Sequence, residues 1–225
     1  MPEVSFVIPA KNEEDALPAL FDSIEAQTAD VSFEVVVAND GSTDDTAAVV
    51  KEFQERADFD VSHVDCDVGD HGAARNVGAT VASGRWYAFI DADTQLEEEY
   101  LEEMLAFVTD NDLDAAGSHC RYYGKRRWVE HFSTLFVNHL CMSSVRLILP
   151  GFNVFVNAES FEAVGGFPEV PLADYAFNEE IKEYGDVGIR KRKLVSTSQR
   201  RAEEMGVGGA LLYYFRRWLQ QRRHA

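Results

Sequence analysis

The chain has 225 residues, 46% of them hydrophobic, and a formal net charge of −18. That is long enough for one substantial core, too apolar for a disordered chain, and too acidic for general nucleic-acid binding. The charge is uneven: residues 1–114 hold 28 of the 39 acids but 5 of the 21 Lys+Arg, so they carry −23 and the remainder +5. An acidic body with 6 Lys against 15 Arg is the composition of a protein adapted to high salt.

The first half alternates strand and helix patterns. Residues 4–8 read as a strand, and residues 13–26 as a helix with Ala16, Leu17, Leu20 and Ile24 on one face. A second strand spans 33–38, with a helix over 43–55. Then come a third strand at 61–66, a helix over 71–82, a fourth strand at 86–90 and a helix over 97–108. Near-continuous apolar strands joined by helices imply an α/β fold whose mostly parallel central sheet is covered by helices on both faces. Such sheets bind ligands at the carboxyl ends of their strands, beside a topological switch point.

The second half is less regular. Residues 114–122 suit a strand, 126–147 one long helix or two short ones, 151–156 a strand and 159–164 a short helix. A Gly-Gly-Phe-Pro turn at 165–168 precedes a helix over 174–184, a strand or edge segment over 187–195, and an amphipathic helix over 206–223. No repeat, low-complexity tract or linker interrupts the chain. One domain is therefore expected, divided into residues 1–112, 113–203 and a C-terminal helix from 204 to 225.

Compartment follows from what the chain contains. Cys66, Cys120 and Cys141 are odd in number and have no metal-type spacing, so they read as reduced intracellular thiols. A strand begins almost at once and no signal peptide is visible, so none is expected. The longest apolar stretch, 132–149, contains Asn138, His139 and Arg146 and is not a membrane span. A soluble, cytoplasmic protein is expected.

The early strands end in chemistry-bearing residues. Asp91 and Asp93 follow the aromatic strand Trp-Tyr-Ala-Phe-Ile at i, i+2. In extended backbone they would point the same way, two hard oxygen donors for a divalent cation that also carries phosphates. The other reading of the pair is an Asp-rich turn. Pro9 ends the first strand, and Asn12 or Glu13 is placed to cap the helix that follows. After the second strand, Ser42 or Thr43 is placed to cap, whereas Asp40 is expected to face the crevice above the sheet. In the loop from Gly69 to Gly78, Arg75 is one of few cations in an acidic half, either aimed at a ligand or paired with a nearby acid. His71 lies in the same loop. The other histidines have no ligand spacing.

Taken in order, Val-Ser-Phe-Val-Ile-Pro-Ala-Lys-Asn-Glu, Val-Val-Val-Ala-Asn-Asp-Gly-Ser-Thr-Asp, Gly-Ala-Ala-Arg-Asn-Val-Gly, Phe-Ile-Asp-Ala-Asp and Gly-Gly-Phe-Pro-Glu resemble glycosyltransferase family 2 across residues 3–201. The resemblance implies a GT-A (nucleotide-diphospho-sugar transferase) fold and transfer of a sugar, with inversion, from a nucleotide diphosphate donor, aided by Mg²⁺ or Mn²⁺. It implies that Pro9, Asn12 and Glu13 line the nucleoside pocket and that Asp40 bonds the base. Arg75 would sit beside base or ribose, Asp91 on the ribose, and Asp93 on the metal. By the same resemblance Asp174 is the catalytic base, although Ala173 stands where the family frequently has an acid.

The family's processive members carry Gln-x-x-Arg-Trp. Here Ser198-Gln199-Arg200-Arg201 and Arg216-Arg217-Trp218 echo it in part, with Arg200 and Arg201 offered to the leaving diphosphate. A non-processive enzyme acting on a glycan or lipid-linked acceptor is implied. The alternatives are a nucleotidyltransferase, whose Gly-rich basic loop is missing after the first strand, and a non-catalytic nucleotide-sugar-binding protein. In the C-terminal segment Leu211, Leu212, Phe215, Trp218 and Leu219 share one helical face ringed by Arg216, Arg217, Arg222 and Arg223. That face either packs on the domain or makes a peripheral membrane contact.

Overall fold

The computed structural model describes residues 1–142 and 148–221. Eight strands form one sheet in the order β3-β2-β1-β4-β7-β6-β8-β5. The first four are β1 (Val4–Ala10), β2 (Phe33–Asp40), β3 (Asp60–Cys66) and β4 (Trp86–Ile90), all parallel. Every residue of β1 and β4 is buried, as expected of strands covered on both faces. The helices α1 (Leu17–Glu25), α2 (Thr46–Arg56) and α3 (His71–Val81) connect them. Because β1 lies between β2 and β4, successive crossovers leave β1 in opposite directions, and the switch point falls between the carboxyl ends of β1 and β4.

The sheet is mostly parallel as expected, with antiparallel pairings added beyond β4. Strand β7 (Asn153–Asn157) runs antiparallel to both β4 and β6 (Ala115–Tyr123). Strand β8 (Val187–Ser198) runs parallel to β6 through a bulge around His119, and the short β5 (Thr94–Leu96) closes the edge against β8. Strand β5 was not legible in sequence, since three residues carry no periodicity. Helix α4 (Tyr100–Asp110) covers β6 and β8.

Two early helices begin later than their apolar periodicity predicts, α1 at Leu17 and α2 at Thr46. Each N-terminal stretch is drawn into the loop of the other. The backbone N–H groups of Asn12, Glu13 and Glu14 donate to Ser42 Oγ (2.9 Å), Thr46 Oγ1 (2.8 Å) and Asp44 Oδ2 (3.3 Å). In return Asn12 Oδ1 accepts from the Thr43 N–H at 2.8 Å. Side chains read as caps of their own helices thus tie the β1 and β2 loops together, and Asp44 serves the first turn of α2 through the Thr46 N–H.

Helix α5 (Arg127–Phe136) runs into a π-helical turn, Val137–Cys141; residues 143–147 of the segment read as helix lie outside the described residues. Helix α6 (Ala158–Ala163) precedes the Gly-Gly-Phe-Pro turn, and α7 (Ala173–Tyr184) follows it. The last helix, α8 (Arg200–Gln221), breaks at Gly206, whose φ of 69° is open to glycine at little cost. Leu212 and Leu219 of its apolar face are exposed. Arg216 is exposed too, whereas Arg217 donates to the Pro171 carbonyl at 2.7 Å. Arg222, Arg223 and the side chains of Leu211, Phe215 and Trp218 lie outside the described residues. No described helix is long and apolar enough to cross a membrane.

Two apolar clusters hold the sheet, one on each face. Phe6, Phe21, Phe53 and Tyr100 belong to one; Phe89, Phe161, Phe167 and Phe177 belong to the other. The second cluster pins the 165–168 turn and the start of α7 over the sheet's carboxyl edge. Asn76 of α3 reinforces it, donating to the Phe167 carbonyl (2.7 Å) and accepting from the Phe167 N–H (2.9 Å).

Candidate active site at the strand ends

The residues singled out from sequence gather at the carboxyl ends of β1, β2 and β4 in three small groups. The first is centred on Arg75, which α3 carries inward until only 3% of it is exposed. A buried guanidinium needs compensation, and Asp91 Oδ1 supplies it at 2.5 Å, while the Phe167 ring lies 5.3 Å below the charge. Burial alone would lower the Arg75 pKa, but Asp91 and Asp174 outweigh it and raise it. Of the two sequence alternatives for Arg75, the structure shows the pairing with an acid, and the pair sits at the strand ends.

Asp174 opens α7 on the far side of the same group. Its Oδ2 accepts the Gly151 N–H at 3.2 Å. A Cβ on Gly151 would lie 2.8 Å from both the Arg75 guanidinium and Asp174 Oδ2, so glycine keeps the space between them open. Asn178, one turn further along α7, is fully buried and fastens this segment, donating to the Leu149 carbonyl (2.8 Å) and accepting the Leu149 N–H (2.7 Å). Sequence reasoning missed Asn178; a lone amide on the apolar face between Phe177 and Ile181 was the available signal.

The second group is Asp93, Glu13 and Arg200. Asp91 and Asp93 do not lie on extended backbone as expected. They flank a tight turn closed by the Thr94 N–H on the Asp91 carbonyl (3.0 Å), so of the two readings the structure shows the Asp-rich turn. The turn sends Asp91 to Arg75 and Asp93 toward Glu13 and Arg200. Arg200 meets Glu13 at 2.5 and 3.1 Å and comes to 4.0 Å from Asp93 Oδ2. Burial, then the charges of Asp91 and Glu13, push the Asp93 carboxyl up to about 7, with Arg200 opposing. Tyr123, also missed from sequence, donates its hydroxyl to the Asp93 carbonyl at 3.0 Å and fixes the turn against β6.

Asp40 forms the third group. Its Oδ1 accepts the N–H groups of Val68 (2.7 Å) and Gly69 (3.0 Å), and its Oδ2 lies 3.4 Å from Lys11 Nζ. Burial pushes its pKa up, yet the two backbone bonds and Lys11 together hold it below the usual carboxylate range. Asp40 thus clamps the β3–α3 loop while keeping one oxygen toward Lys11. Pro9 is buried at the end of β1, and Asn12, at φ 55°, is exposed on the loop beside it. Arg201 is not brought to the cluster: it lies over the Tyr213 ring at 5.5 Å. His71 is exposed at the start of α3.

Among the described residues no three His, Cys, Asp or Glu side chains are grouped as a metal cage. Asp91 is committed to Arg75, which leaves Asp93 as the carboxylate short of positive charge. One carboxylate in an acidic setting fits a divalent cation that takes its other ligands from phosphates and water.

Residues 5–164 match the profile of "Glycosyl transferase family 2", and the chain belongs to that family. Glycosyltransferase GlyA of Streptococcus pneumoniae is 33% identical over 114 residues, 51% of this chain and 16% of that protein. Glycosyltransferase AglE of Haloferax volcanii is 28% identical over 173 residues, 75% of this chain and 57% of that protein. The chain therefore spans a fifth or less of some of these relatives and little more than half of another. Staphylococcus aureus TarS 1–349 in complex with UDP-GlcNAc superimposes with a TM-score of 0.71 at 21% identity, over 88% of this chain and 58% of that one. The mannosyltransferase PcManGT from Pyrobaculum calidifontis, in complex with GDP-Man and Mn²⁺, gives 0.69 at 23% identity, over 88% and 56%. At such identities the likeness establishes the fold, which is GT-A.

Proposed function

We propose that the protein is an inverting, non-processive glycosyltransferase that moves a hexose-type sugar from a nucleotide diphosphate donor to a hydroxyl of a glycan or lipid-linked acceptor. The observation that carries this reading is the convergence of Asp93, Glu13 and Arg200 on one side, and Arg75, Asp91 and Asp174 on the other, at the switch point of a family 2 fold. The UDP-GlcNAc and GDP-Man complexes of the structural neighbours support a nucleotide sugar as donor.

In this reading the nucleoside lies over the carboxyl ends of β1 and β2. Pro9, Asn12 and Glu13 wall it, Asp40 offers a carboxylate oxygen to the base, and Arg75 holds Asp91 for the ribose. Asp93 is the residue that would hold Mg²⁺ or Mn²⁺, whose positive charge would stabilise a diphosphate leaving group. Arg200, released from Glu13, is placed to share that charge, and Arg201 is assigned a weaker role in the same anion binding. Asp174 takes the proton of the acceptor hydroxyl as that oxygen bonds the anomeric carbon and the bond to the diphosphate breaks. Gly151 leaves room for the reacting atoms between Arg75 and Asp174.

Residues 1–112 serve the donor in this division, 113–203 the acceptor, and the C-terminal helix is assigned to packing through Arg217 rather than to a membrane. A cytoplasmic, high-salt setting follows from the nucleotide donor and the acidic body. A thermal-shift screen of nucleotide sugars with and without Mn²⁺ tests the reading, because a ligand selective for the native state raises its midpoint. If every nucleotide sugar leaves the midpoint unmoved with Mn²⁺ present, the reading fails. Binding without transfer to any acceptor would favour the non-catalytic alternative.

A further inference from the structure

Helix α5 turns a row of large apolar side chains to solvent. Trp128 is 62% exposed, Phe132 44% and Leu135 58%, at spacings i, i+4 and i+7 that share one helical face. Phe132 and Phe136 stack at 5.9 Å, so the ridge is ordered by its own members. The opposite face is the anchored one: Val129 and Asn138 are buried, and Asn138 exchanges hydrogen bonds with the Cys120 backbone at 2.9 and 2.8 Å. The π-helical turn at Val137–Cys141 matters to this geometry. Its extra residue offsets the helical drift, and Leu140, 41% exposed, continues the row instead of rotating off it.

Basic groups flank the row at both ends. Lys125, Arg126 and Arg127 are consecutive and exposed where α5 begins. Two acids lie beside this run and are held by its backbone: Glu130 accepts the Gly124 N–H, and Glu203, which also feels the Lys125 charge, accepts the Lys125 and Arg126 N–H groups, leaving the run with a net positive charge. At the other end, exposed Lys191 and Lys193 of β8 lie near His119, whose ring centroid is 6.3 Å from that of His139. This concentration stands out in a chain of net charge −18, whose acids belong mostly to residues 1–114. The screening length is about 10 Å at about 0.1 M salt and about 3 Å at about 1 M, so in a high-salt setting too the local basic flanks, not the distant acids, set the potential at the ridge.

We propose that the exposed face of α5 docks the protein on an anionic lipid surface. Trp128, Phe132 and Leu135 would enter the headgroup boundary, with Lys125, Arg126 and Arg127 among the lipid phosphates. A convex ridge with a basic rim and an aromatic at its edge suits a bilayer interface, which accommodates a protrusion without a preformed pocket. The contact does not depend on the transferase reading, since it uses no residue of the strand-end cluster. It would bring that cluster beside the lipid, because Tyr123, which touches the Asp93 turn, lies just ahead of the basic run.

Vesicle co-sedimentation of the full chain tests this, at the lowest salt where circular dichroism reports the native fold. Binding is expected to vesicles containing phosphatidylglycerol and to be weak on phosphatidylcholine alone. The double variant Trp128→Ser/Leu135→Ser should lose at least about tenfold in partitioning. Lys125→Gln/Arg127→Gln should lose about fivefold per charge and keep its apolar ridge, so it remains informative if the serine variant misfolds. Wild-type protein that stays in the supernatant, or two folded variants that bind as well as wild type, would overturn the proposal. A wild-type dimer that Trp128→Ser converts to monomer, without vesicle binding, would reassign the ridge to a second copy of the chain.

Discussion

The N-terminal half and the C-terminal half of the molecule build their parts of the candidate site by different means. In the N-terminal half, parallel strands deliver Pro9, Asp40 and Asp91 to one edge, and short loops lock to each other through backbone N–H groups that donate to Ser42, Asp44, Thr46 and Asp40. The position of each residue follows from the end of a strand. In the C-terminal half, Asp174 arrives on a helix after a long excursion, and side-chain amides hold it in place: the buried Asn178 on Leu149 and the half-buried Asn76 of α3 on Phe167. Strand ends give position within a short loop that neighbouring loops brace, whereas a residue delivered by a long connection is held by clamps from distant elements. The two halves should therefore respond differently to substitution.

The largest effect is expected in the C-terminal half. Asp174→Asn should reduce turnover by roughly 10²–10⁴-fold, the range for losing a general base, with donor affinity nearly unchanged. The asparagine keeps an oxygen for the Gly151 N–H, so a structural explanation would predict little change. Steady-state kinetics beside donor titration decides, and near-normal turnover would move the base elsewhere, with Glu179 or Glu180 next to be tested.

Removing the charge that joins the halves comes next. Arg75→Ala leaves Asp91 without its partner and opens a void beside Phe167, at a cost of about 2–3 kcal/mol in unfolding stability, below the fully buried range because Asp91 is 31% exposed. Denaturant melts measure it, and a loss below about 0.5 kcal/mol would mean that the pair does not hold the edge together.

A smaller effect with a defined pH sense belongs to the N-terminal half. Asp93 is raised to about 7 from 3.8, so ionising it opposes folding. The sign is fixed: the penalty is absent below about pH 4, grows as pH rises toward 7, and is complete above it. Without metal, Asp93→Asn should stabilise the protein at pH 8 by about 1–2 kcal/mol and leave it unchanged at pH 4. Equal effects at both pH values would contradict the crowding of Asp93 by Asp91 and Glu13. The smallest effect separates neighbours: Arg200→Ala should weaken donor binding about tenfold, and Arg201→Ala, set on Tyr213, by less than about twofold.

Legibility in the sequence followed the same division. Buried parallel strands write themselves as apolar runs, and β4 was bounded to the residue from Trp86 to Ile90. Helix starts were misplaced where a polar side chain had two uses, since Asn12 and Ser42 read equally well as local caps and as bonds across loops. The antiparallel return of β7 and the edge strand β5 were invisible because strand direction is set by tertiary connection, not by local pattern. For the site, ordered motifs located Asp40, Arg75, Asp91, Asp93 and Asp174. The pairing of Arg200 with Glu13 spans 187 positions, and nothing in a linear pattern encodes it.

The central claim is that this edge binds a nucleotide diphosphate sugar through a cation held by Asp93. Calorimetric titration of UDP- and GDP-linked sugars into wild type and Asp93→Ala, each with and without Mn²⁺, addresses it most directly. The account predicts binding by wild type that Mn²⁺ strengthens, and an Asp93→Ala protein that melts normally but has lost the Mn²⁺ enhancement. Unchanged metal-dependent affinity in Asp93→Ala, or wild-type binding indifferent to Mn²⁺, would contradict it.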